Sequence, residues 1–325
     1  MTIAIIGAGM AGAACASQLI QQGWQVSLFD KGRSVGGRMS SKRTEQGYLD
    51  LGAQYFTARD TAFLAQCQHW LRAGSITHWQ GRLAQLESGA VVASPDEEVR
   101  FIGVPSMQVP VAALLQGLAL YTGRQVERLA FDGNRWQLFS AGASLGCFEQ
   151  LVLAIPQQQA EPLLRAAGVV DAELSTVFST PALLPCWAVN VQLSHSPWPY
   201  DGIFGNAGSQ FSWLARQSSK PGRSQGEHWL LHFSTAFSLQ HLESDSSEIA
   251  GYALTALQQL VDQPLSADVT HCHRWRYARQ NPAYPLYGMW YRPALALGLA
   301  GDWLYGGRVE HAWLSGMQLA RELLR

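Results

Sequence analysis

The chain has few charged residues and almost no net charge. Asp, Glu, Lys and Arg make up 14% of its 325 residues, and 23 Lys and Arg nearly balance 24 Asp and Glu, which leaves a formal charge of −1. Such a chain lacks the basic excess that binds nucleic acids or anionic membrane surfaces. We therefore expect neither a nucleic-acid nor a membrane partner.

Paired cysteines and long apolar runs are also missing. The five cysteines (Cys15, Cys67, Cys147, Cys186 and Cys272) are scattered without a CxxC pair, which predicts free thiols in a reducing cytoplasm. No apolar run reaches the roughly 18 residues of a transmembrane helix. The N-terminus enters a strand pattern without the basic and apolar regions of a signal peptide. His271 and His273 lack a nearby third ligand, so we expect no metal.

Apolar and aromatic side chains are abundant instead. Hydrophobic residues make up 47% of the chain, and Trp alone occurs 12 times. This composition is typical of a folded protein with a sizeable, aromatic-lined interior. The length of 325 residues predicts one or two domains.

A strand–helix–strand unit of about 30 residues opens the chain. Residues 2–6 form an apolar run typical of a buried parallel strand, and the Gly-rich turn 7–12 follows it. An Ala-, Gln- and Leu-rich helix is expected over 11–22, and a second strand over 25–29 closes on Asp30. This is the size and order of a dinucleotide-binding unit.

The glycines of this turn each have a physical role in binding a dinucleotide. Gly7 permits the tight turn, Gly9 lets the pyrophosphate approach the backbone, and Gly12 lets helix and strand pack closely. The free N–H groups at the helix N-terminus favour phosphate. Asp30 can accept hydrogen bonds from the ribose hydroxyls and disfavours a 2′-phosphate. The bound dinucleotide is therefore expected to be FAD or NAD, not NADP.

Further glycine signatures favour FAD over NAD. The segment 31–38, with Gly36-Gly37-Arg38, resembles the second glycine signature of flavin amine oxidases, in which the Gly pair and the Arg meet the pyrophosphate. Gly301-Asp302 ends a strand, and in those families the acid bonds the ribityl chain. The segment 307–312 begins the last helix, whose N-terminal dipole would stabilise the reduced flavin. The backbone at Val126 would touch the adenine.

The rest of the chain predicts further elements and a discontinuous nucleotide domain. We expect helices over 111–121 and 247–262, a small antiparallel pair over 125–129 and 136–139, and a closing helix over 311–324. The expected fold is α/β: a two-domain, Rossmann-like FAD-binding flavoprotein with an inserted α+β substrate domain resting on a mixed sheet. The expected boundaries are 1–58, 105–165 and 285–325 for the FAD-binding domain, and 59–104 and 166–284 for the substrate domain.

Several segments resemble bacterial renalases. The most informative is Asp50-Leu51-Gly52-Ala53-Gln54-Tyr55-Phe56-Thr57-Ala58-Arg59. The others are Ser94-Pro95-Asp96-Glu97, Trp213-Leu214-Ala215-Arg216, Ser219-Lys220-Pro221-Gly222-Arg223, Arg274-Trp275 with Tyr277-Ala278-Arg279, and Gly301-Asp302-Trp303 through Gly316. The resemblance spans nearly the whole chain, although Arg276 departs from the pattern.

The resemblance implies an activity and a fold. The fold would be related to p-hydroxybenzoate hydroxylase and the amine oxidases, with non-covalent FAD. The activity would be oxidation of the 2- and 6-dihydro isomers of NAD(P)H to NAD(P)+, with electrons passed to O2 to give hydrogen peroxide. The substrate would therefore be a small molecule that carries phosphates.

Two sets of residues follow from the motifs and the resemblance. The expected FAD contacts are Gly7, Gly9, Met10, Ala11, Gly12, Asp30, Lys31, Gly37, Arg38, Gln54, Tyr55, Val126, Gly301, Asp302, Val309 and Glu310. The expected substrate contacts are Tyr55, Phe56, Thr57, Ala58, Arg59, Asp96, Trp187, Arg216, Arg223, Arg274 and Arg279. Among them, the Arg residues are candidates for the substrate phosphates.

The sequence contains no convincing acid–base dyad. Hydride transfer from a dihydropyridine is driven by recovery of aromaticity, so the site needs placement and exclusion of water more than a base. We expect Tyr55, Phe56 and Thr57 to supply that placement. Two alternatives stay open: a flavin amine oxidase or monooxygenase on the same scaffold, and a binding protein like the Rab GDP-dissociation inhibitors. The intact glycine turn and Asp30 argue against the second.

Overall fold

Twenty β-strands and eight α-helices make up the computed structural model, which describes residues 1–325. The strands are β1 (Thr2–Ile6), β2 (Gln25–Phe29), β3 (Ser41–Thr44), β4 (Gly47–Asp50), β5 (Ile76–His78), β6 (Leu83–Glu87), β7 (Ala90–Ala93), β8 (Phe101–Gly103), β9 (Ala119–Tyr121), β10 (Arg128–Phe131), β11 (Trp136–Ser140), β12 (Ala143–Phe148), β13 (Gln150–Leu153), β14 (Leu183–Leu193), β15 (Gly202–Phe204), β16 (Phe211–Arg216), β17 (Glu227–Phe233), β18 (Ala267–Gln280), β19 (Trp290–Arg292) and β20 (Leu297–Leu299). The helices are α1 (Met10–Gln21), α2 (Thr61–Arg72), α3 (Val109–Leu114), α4 (Gln157–Ala166), α5 (Ala172–Val177), α6 (Thr235–Gln240), α7 (Ser246–Gln258) and α8 (Val309–Leu323). None of these helices is both long and apolar enough to cross a membrane.

The first large sheet joins the two ends of the chain. Its strand order is β19-β20-β13-β1-β2-β9, and all neighbours pair in parallel except β19 with β20. The central strand β1 is apolar and buried because helices cover the sheet, and α1 packs against α8. This is the α/β nucleotide-binding arrangement that the sequence predicts.

The second large sheet is mixed and mostly antiparallel. Its strand order is β18-β14-β17-β16-β15-β6-β7, and only β15 and β6 pair in parallel. Helices α6 and α7 pack against β14 and β18. Side chains alternate between the two faces of each strand. The face of the sheet that α6 and α7 do not cover therefore faces the first sheet. We propose that the two sheets mark the two domains, with the boundaries expected above.

Three small sheets complete the fold. The predicted antiparallel pair near 125–139 is present as β10 and β11, and β12 extends it to three strands. Strands β3 and β4 form a hairpin that leads into residue 51, and β5 pairs with β8. A bridge between Phe56 and Phe101 fixes the segment that follows the hairpin.

One predicted helix is wrong in its second half. The expected helix over 111–121 ends at Leu114, and residues 119–121 form strand β9 instead. Gly117 adopts a φ of 78°, which interrupts a helix, and β9 then pairs with β2 at the edge of the first sheet. The Ala and Leu residues of this segment favour a helix locally, but the open edge of β2 provides a partner that outweighs that preference.

Candidate active site

One cleft of about 1600 Å³ lies between the two large sheets and collects most of the predicted site residues. Four of its lining residues directly follow parallel strands of the first sheet: Gly7 after β1, Asp30 after β2, Ala154 after β13 and Ala300 after β20. Ligands of doubly wound sheets bind at this carboxyl edge of the strands. The predicted residues that line the cleft are Gly7, Gly9, Met10, Ala11, Asp30, Lys31, Gly37, Arg38, Gln54, Tyr55, Phe56, Thr57, Arg59, Val126, Arg274, Arg279, Gly301, Asp302 and Val309.

The glycine turn between β1 and α1 is shaped to admit a pyrophosphate. Gly7 has a φ of 110°, which favours glycine, and a Cβ there would overlap the carbonyl oxygen of Ala154. A Cβ on Gly12 would overlap the Gly7 carbonyl oxygen, whereas a Cβ on Gly9 would meet no atom within 4 Å. No side chain caps the N-terminus of α1, so its first amides are available to an anion. These residues fit the phosphates of a dinucleotide such as FAD.

Asp30 is held in place at the end of β2. Its two carboxylate oxygens accept the backbone N–H groups of Ala8 at 2.7 Å and Gly32 at 2.6 Å. The bond to Ala8 joins the carboxylate to the glycine turn, and remaining lone pairs can accept from a ribose. Asp30 is therefore oriented before any ligand binds.

The second glycine signature and the C-terminal motif meet in the cleft wall. The Gly36 amide donates to the Ala8 carbonyl at 2.9 Å, which brings this loop against the first glycine turn. Arg38 forms a two-pronged ion pair with Asp302, with Nη1 at 2.9 Å from Oδ2. Arg38 Nη1 also donates to the Ala278 carbonyl at 3.1 Å. The paired groups come from opposite ends of the chain, and both line the cleft.

The first turn of α8 contributes differently from what the sequence predicts. Val309 lines the cleft, but Glu310 is 2% exposed and points away from it. Glu310 Oε1 accepts the backbone N–H groups of Arg59 and Asp60, each at 2.6 Å. Glu310 therefore fixes the backbone of residues 59 and 60, which follow the segment Tyr55-Phe56-Thr57. Arg308, which the sequence analysis did not select, lines the cleft and donates to His311 Nε2 at 2.7 Å.

Aromatic side chains form one wall of the cleft next to the second sheet, the part that we call the substrate side after the expected contacts there. Tyr55 stacks on Trp79 with ring centroids 5.9 Å apart and meets Trp213 edge-on at 5.5 Å. Phe204 packs on Trp213 at 4.6 Å. Phe56 contributes little side chain to the cleft because it is 3% exposed and stacks on Phe101.

Two buried cations lie against this aromatic wall. The Arg100 guanidinium carbon is 4.9 Å from the Tyr55 centroid, and Lys220 Nζ is 5.4 Å from the Trp79 centroid. Neither Arg100 nor Lys220 was among the predicted site residues; Lys220 was noted only within the segment Ser219-Lys220-Pro221-Gly222-Arg223. Asp96 lies outside the cleft and accepts from Arg100 Nη2 at 2.6 Å, so it acts on Tyr55 through Arg100. The Glu98 amide and Arg100 lower the pKa of Asp96 and keep it ionised.

A buried ionic cluster stands behind the segment 50–54. Asp50 Oδ2 accepts from Arg223 Nε at 2.9 Å and lies 3.6 Å from Lys220 Nζ. Lys220 also donates to Gln54 Oε1 at 2.9 Å, and Gln54 Nε2 donates to the Asp50 carbonyl at 2.7 Å. Burial lowers the pKa of Lys220 from 10.5 to about 8, against the attraction of Asp50. The cluster fixes the backbone that carries Gln54 and Tyr55 into the cleft.

Some predicted substrate residues lie outside the cleft. Arg223 is 1% exposed and donates to the carbonyl oxygens of Gly103, Pro105 and Pro221. Trp187 packs on the far face of β14, where its Nε1 donates to the His241 carbonyl at 2.9 Å. Arg216 pairs with Glu227 and Asp201. Their burial or ion pairing explains why these side chains do not reach the cleft. Ala58 and Gly12 were also predicted site residues and do not line the cleft.

The floor of the substrate side is formed by the second sheet. His232, Ser212, Cys186 and Arg279 line it from four neighbouring strands. Burial, followed by the Arg279 charge, lowers the pKa of His232 to about 3, so the imidazole is neutral. Sequence analysis missed His232, although the alternation of His228, Leu230 and His232 along one strand face could have indicated it.

The charge of the cleft differs from that of the whole chain. Its lining holds eight Lys or Arg residues (Lys31, Arg38, Arg59, Arg124, Arg274, Arg276, Arg279 and Arg308) and four acids (Asp30, Glu98, Glu127 and Asp302). Asp302 is neutralised by Arg38, Glu98 pairs with Arg59, and Arg274 and Arg276 pair with Glu243, which does not line the cleft. The remaining surplus is positive, and such a cleft attracts anionic ligands.

Comparisons with known families match nearly the whole chain in two parts. The NAD(P)-binding Rossmann-like domain matches residues 5–68, and the flavin containing amine oxidoreductase family matches residues 84–324. A segment of 52 residues is 44% identical to the 4,4'-diapophytoene desaturase (4,4'-diaponeurosporene-forming) of Staphylococcus haemolyticus (strain JCSC1435). That segment is 16% of this chain and 10% of the desaturase, so it says little about the rest of either protein.

Solved structures resemble the chain from end to end. Cyclohexylamine oxidase from Brevibacterium oxydans IH-35A has a TM-score of 0.73 and 13% identity, over 100% of this chain and 99% of that one. Reduced UDP-galactopyranose mutase has a TM-score of 0.76 and 12% identity, over 99% of this chain and 95% of that one. Putrescine oxidase bound to putrescine has a TM-score of 0.70 and 11% identity, over 100% and 99% of the two chains. At such identities the likeness shows the fold alone.

Proposed function

Because the chain belongs to the flavin-containing amine oxidoreductase family and FAD is its cofactor, we propose that it oxidises the 2- and 6-dihydro isomers of NAD(P)H to NAD(P)+. When bound, FAD supplies the hydride acceptor and passes two electrons to O2. The balanced reaction takes one dihydronicotinamide, one proton and one O2, and gives one NAD(P)+ and one hydrogen peroxide. The substrate is an anion because of its pyrophosphate.

The charge around the aromatic wall is the observation that carries this proposal. Arg100 covers Tyr55, Lys220 covers Trp79, and Arg279 lies on the floor beside them. Arg100 is paired with Asp96, whereas Lys220 and Arg223 share the single carboxylate of Asp50, so a positive surplus remains behind the aromatic wall and repels a second cation. The compartment therefore disfavours a protonated amine and suits a neutral ring attached to a phosphate-bearing chain.

The chain's own residues bind and orient the substrate in this reaction. Gly7, Gly9 and the first turn of α1 hold the FAD pyrophosphate, and Asp30 holds the ribose. Tyr55, Phe204 and Trp213 line the cleft together and give it an aromatic surface against which a dihydropyridine ring can pack. The positive surplus of the cleft lining favours the substrate phosphates, although Arg274 itself is held by Leu242 and Glu243 and stacks on Trp187. No base is required, and His232 would be a weak one, because burial lowers its pKa to about 3.

Amine oxidation is the second candidate, and the aromatic wall is the observation that favours it. Tyr55, Phe204 and Trp213 line the cleft with Trp79 packed behind Tyr55, and such rings can contact an alkyl amine. The family match agrees with this alternative, and two of the similar folds are named as amine oxidases. The two activities require substrates of opposite charge.

One anaerobic experiment separates the two activities. The FAD-loaded enzyme is mixed without O2 with the 2- and 6-dihydro isomers of NAD(P)H, with ordinary NADH, and with cyclohexylamine and putrescine. We expect the flavin absorbance to bleach with the dihydro isomers and to stay unchanged with the amines. Bleaching by an amine alone would overturn the proposal and establish the second candidate.

A further inference from the structure

The floor of the substrate side contains a histidine whose ring is fixed in one tautomer. His232 Nε2 lies 3.0 Å from the Leu51 carbonyl oxygen. A carbonyl oxygen only accepts, so Nε2 carries the proton and Nδ1 is left as an acceptor. Trp275 Nε1 donates to the same oxygen at 3.0 Å, which holds Leu51 in place from a second strand.

The free nitrogen of this ring opens toward the cleft. His232 lines the cleft and is 9% exposed, and its Nδ1 makes no hydrogen bond within the protein. Nor is Nδ1 sealed from solvent, in contrast to the unpartnered indole nitrogens of Trp213 and Trp229. The ring therefore presents a neutral acceptor of fixed direction to whatever binds there.

A charged donor stands next to this acceptor. Arg279 Nη2 donates to Ser212 Oγ at 2.7 Å, and Ser212 Oγ donates to the His232 carbonyl at 3.3 Å. These contacts place the guanidinium beside His232; it also contacts the Cys186 thiol, and its N–H groups are not sealed from the cleft. The Arg279 charge also helps to lower the pKa of His232 to about 3, after burial, so the ring does not become a donor at neutral pH.

We propose that His232 and Arg279 form a subsite for a primary carboxamide. Nδ1 of His232 accepts an N–H of the amide, and the Arg279 guanidinium donates to its oxygen. The inference rests on the proposed function, because the nicotinamide ring is the part of that substrate that carries such a group. A carboxylate in the same place gains from Arg279 but sets an oxygen lone pair against Nδ1, so His232 is the residue that discriminates.

Two substitutions at one position separate the acceptor from the bond to Leu51. In His232→Gln the side-chain amide nitrogen reaches the former position of Nε2, which keeps the donor to Leu51 and removes the acceptor at Nδ1. In His232→Asn the side-chain oxygen stands near the former position of Nδ1, which keeps the acceptor and removes the bond to Leu51. His228→Gln is the matched control, because His228 lies on the same strand, bonds to Asn190 and does not line the cleft.

The measurement compares the carboxamide substrate with its nicotinic acid counterpart. The ratio of kcat/KM values is determined for the dihydro-NAD isomers and their carboxylate analogues. As a readout independent of turnover, the affinities for NAD+ and nicotinic acid adenine dinucleotide are measured from the perturbed flavin spectrum. We expect both ratios to favour the carboxamide in the wild type, to fall on the order of tenfold in His232→Gln, and to fall much less in His232→Asn. His228→Gln should match the wild type.

The outcomes distinguish the two proposals. Unchanged ratios in His232→Gln, with normal FAD content, would overturn the carboxamide subsite while leaving the oxidase activity intact. A wild type that does not prefer the carboxamide over the carboxylate would also overturn the carboxamide subsite and leave the oxidase activity intact. A wild type that oxidises no dihydro isomer would overturn the proposed function and this inference together.

Discussion

Gly9 and Gly12 lack a side chain for different physical reasons. A Cβ on Gly12 would overlap the Gly7 carbonyl oxygen, whereas a Cβ on Gly9 would point into free space in the cleft. Gly9 also has an extended backbone with a φ of −80° that alanine adopts freely. The fold therefore requires a glycine at position 12, whereas at position 9 it does not, and we expect a ligand to require one there.

Alanine substitutions test this distinction. We expect the Gly9→Ala apoprotein to unfold at the wild-type temperature and to bind FAD on the order of tenfold more weakly or worse, because the methyl group occupies the approach of the pyrophosphate. Gly12→Ala should lose about 1–3 kcal/mol of stability or more through overpacking, even without FAD. The measurements are thermal unfolding of the apoprotein and fluorescence titration with FAD. The matched control is Gly251→Ala in the exposed part of α7, where a Cβ meets no atom within 4 Å. An FAD affinity of Gly9→Ala equal to that of the wild type would contradict the prediction.

One buried residue, Lys220, should make the stability of the folded protein depend on pH. Its pKa is about 8 in the folded protein, mainly because of burial, and about 10.5 in the unfolded chain. Between these values the unfolded chain binds more protons than the folded protein, so stability rises with pH across this window. Below about pH 8 both states are protonated, and the full penalty of the buried charge remains.

Denaturant unfolding at pH 7.5 and pH 9.5 checks this expectation. The quantity to follow is the free energy of unfolding of the wild-type apoprotein minus that of Lys220→Met. We expect this difference to increase by an amount on the order of 2 kcal/mol from the lower to the higher pH. Lys42→Met, at a partly exposed lysine, should show no such change relative to the wild type. A difference between wild type and Lys220→Met that stays constant or falls with pH would refute the prediction.

The sequence predicts glycine positions better than it predicts the surroundings of charged side chains. The roles of Gly7, Gly9 and Gly37 depend on their order relative to a strand and a helix, which is visible in one stretch of chain. Arg223 depends on Asp50, which is 173 residues away in sequence, and that contact exists only in the folded protein. An arginine in the core and one in the cleft therefore look alike in the sequence, and Trp187 was misplaced for the same reason.

Helix α8 connects the cofactor end of the cleft to its substrate end. Val309 lines the cleft, while Glu310 in the same turn accepts the backbone amides of Arg59 and Asp60. The carboxylate is buried and serves a segment that begins immediately after Thr57. We therefore expect a change in the first turn of this helix to shift the backbone of residues 59–60 and the aromatic wall that begins at Tyr55.

Substitutions at Glu310 measure that connection. Glu310→Ala leaves two amides without an acceptor and should cost about 2–4 kcal/mol of stability. Glu310→Gln keeps an oxygen at the same place and should cost clearly less. Urea unfolding gives the stabilities, and KM for the substrate should rise in Glu310→Ala with little change in FAD content. Equal stability of the two variants would show that Glu310 does not hold this segment.

The boundaries of elements that glycines and apolar runs set locally were predicted well. Boundaries that depend on pairing with a strand far away in the sequence were not. Strands β1 and β2 were predicted within their observed bounds, because apolar runs and glycines delimit them. The helix over 111–121 failed where β9 joins the edge of β2, since that pairing is not encoded in the segment itself. Strand β12 was missed in the same way, because it extends a pair that looked complete.

At the level of the whole molecule, the two ends of the chain build one site. The glycine turn after β1 and the Gly301-Asp302 motif after β20 lie in a single sheet, and Arg38 joins them through Asp302. The net charge of −1 for the whole chain hides a local positive surplus in the cleft, so the bulk composition alone does not indicate a site for a small anion. Only the folded state presents all of these groups to one ligand.

FAD should therefore stabilise the whole fold by mass action. At about one hundred times its Kd, a ligand that binds only the folded state adds about 2.7 kcal/mol, which for a chain of this size raises Tm by about 5 °C. We expect Tm of the apoprotein to rise with the logarithm of FAD concentration, and Asp302→Asn to need a higher concentration for the same shift because it weakens the link between the two ends. ADP, which can reach only the glycine turn and Asp30, should respond equally in both proteins. A Tm that does not depend on FAD, or an Asp302→Asn curve that overlies the wild type, would mean that the two ends of the chain do not hold the cofactor together.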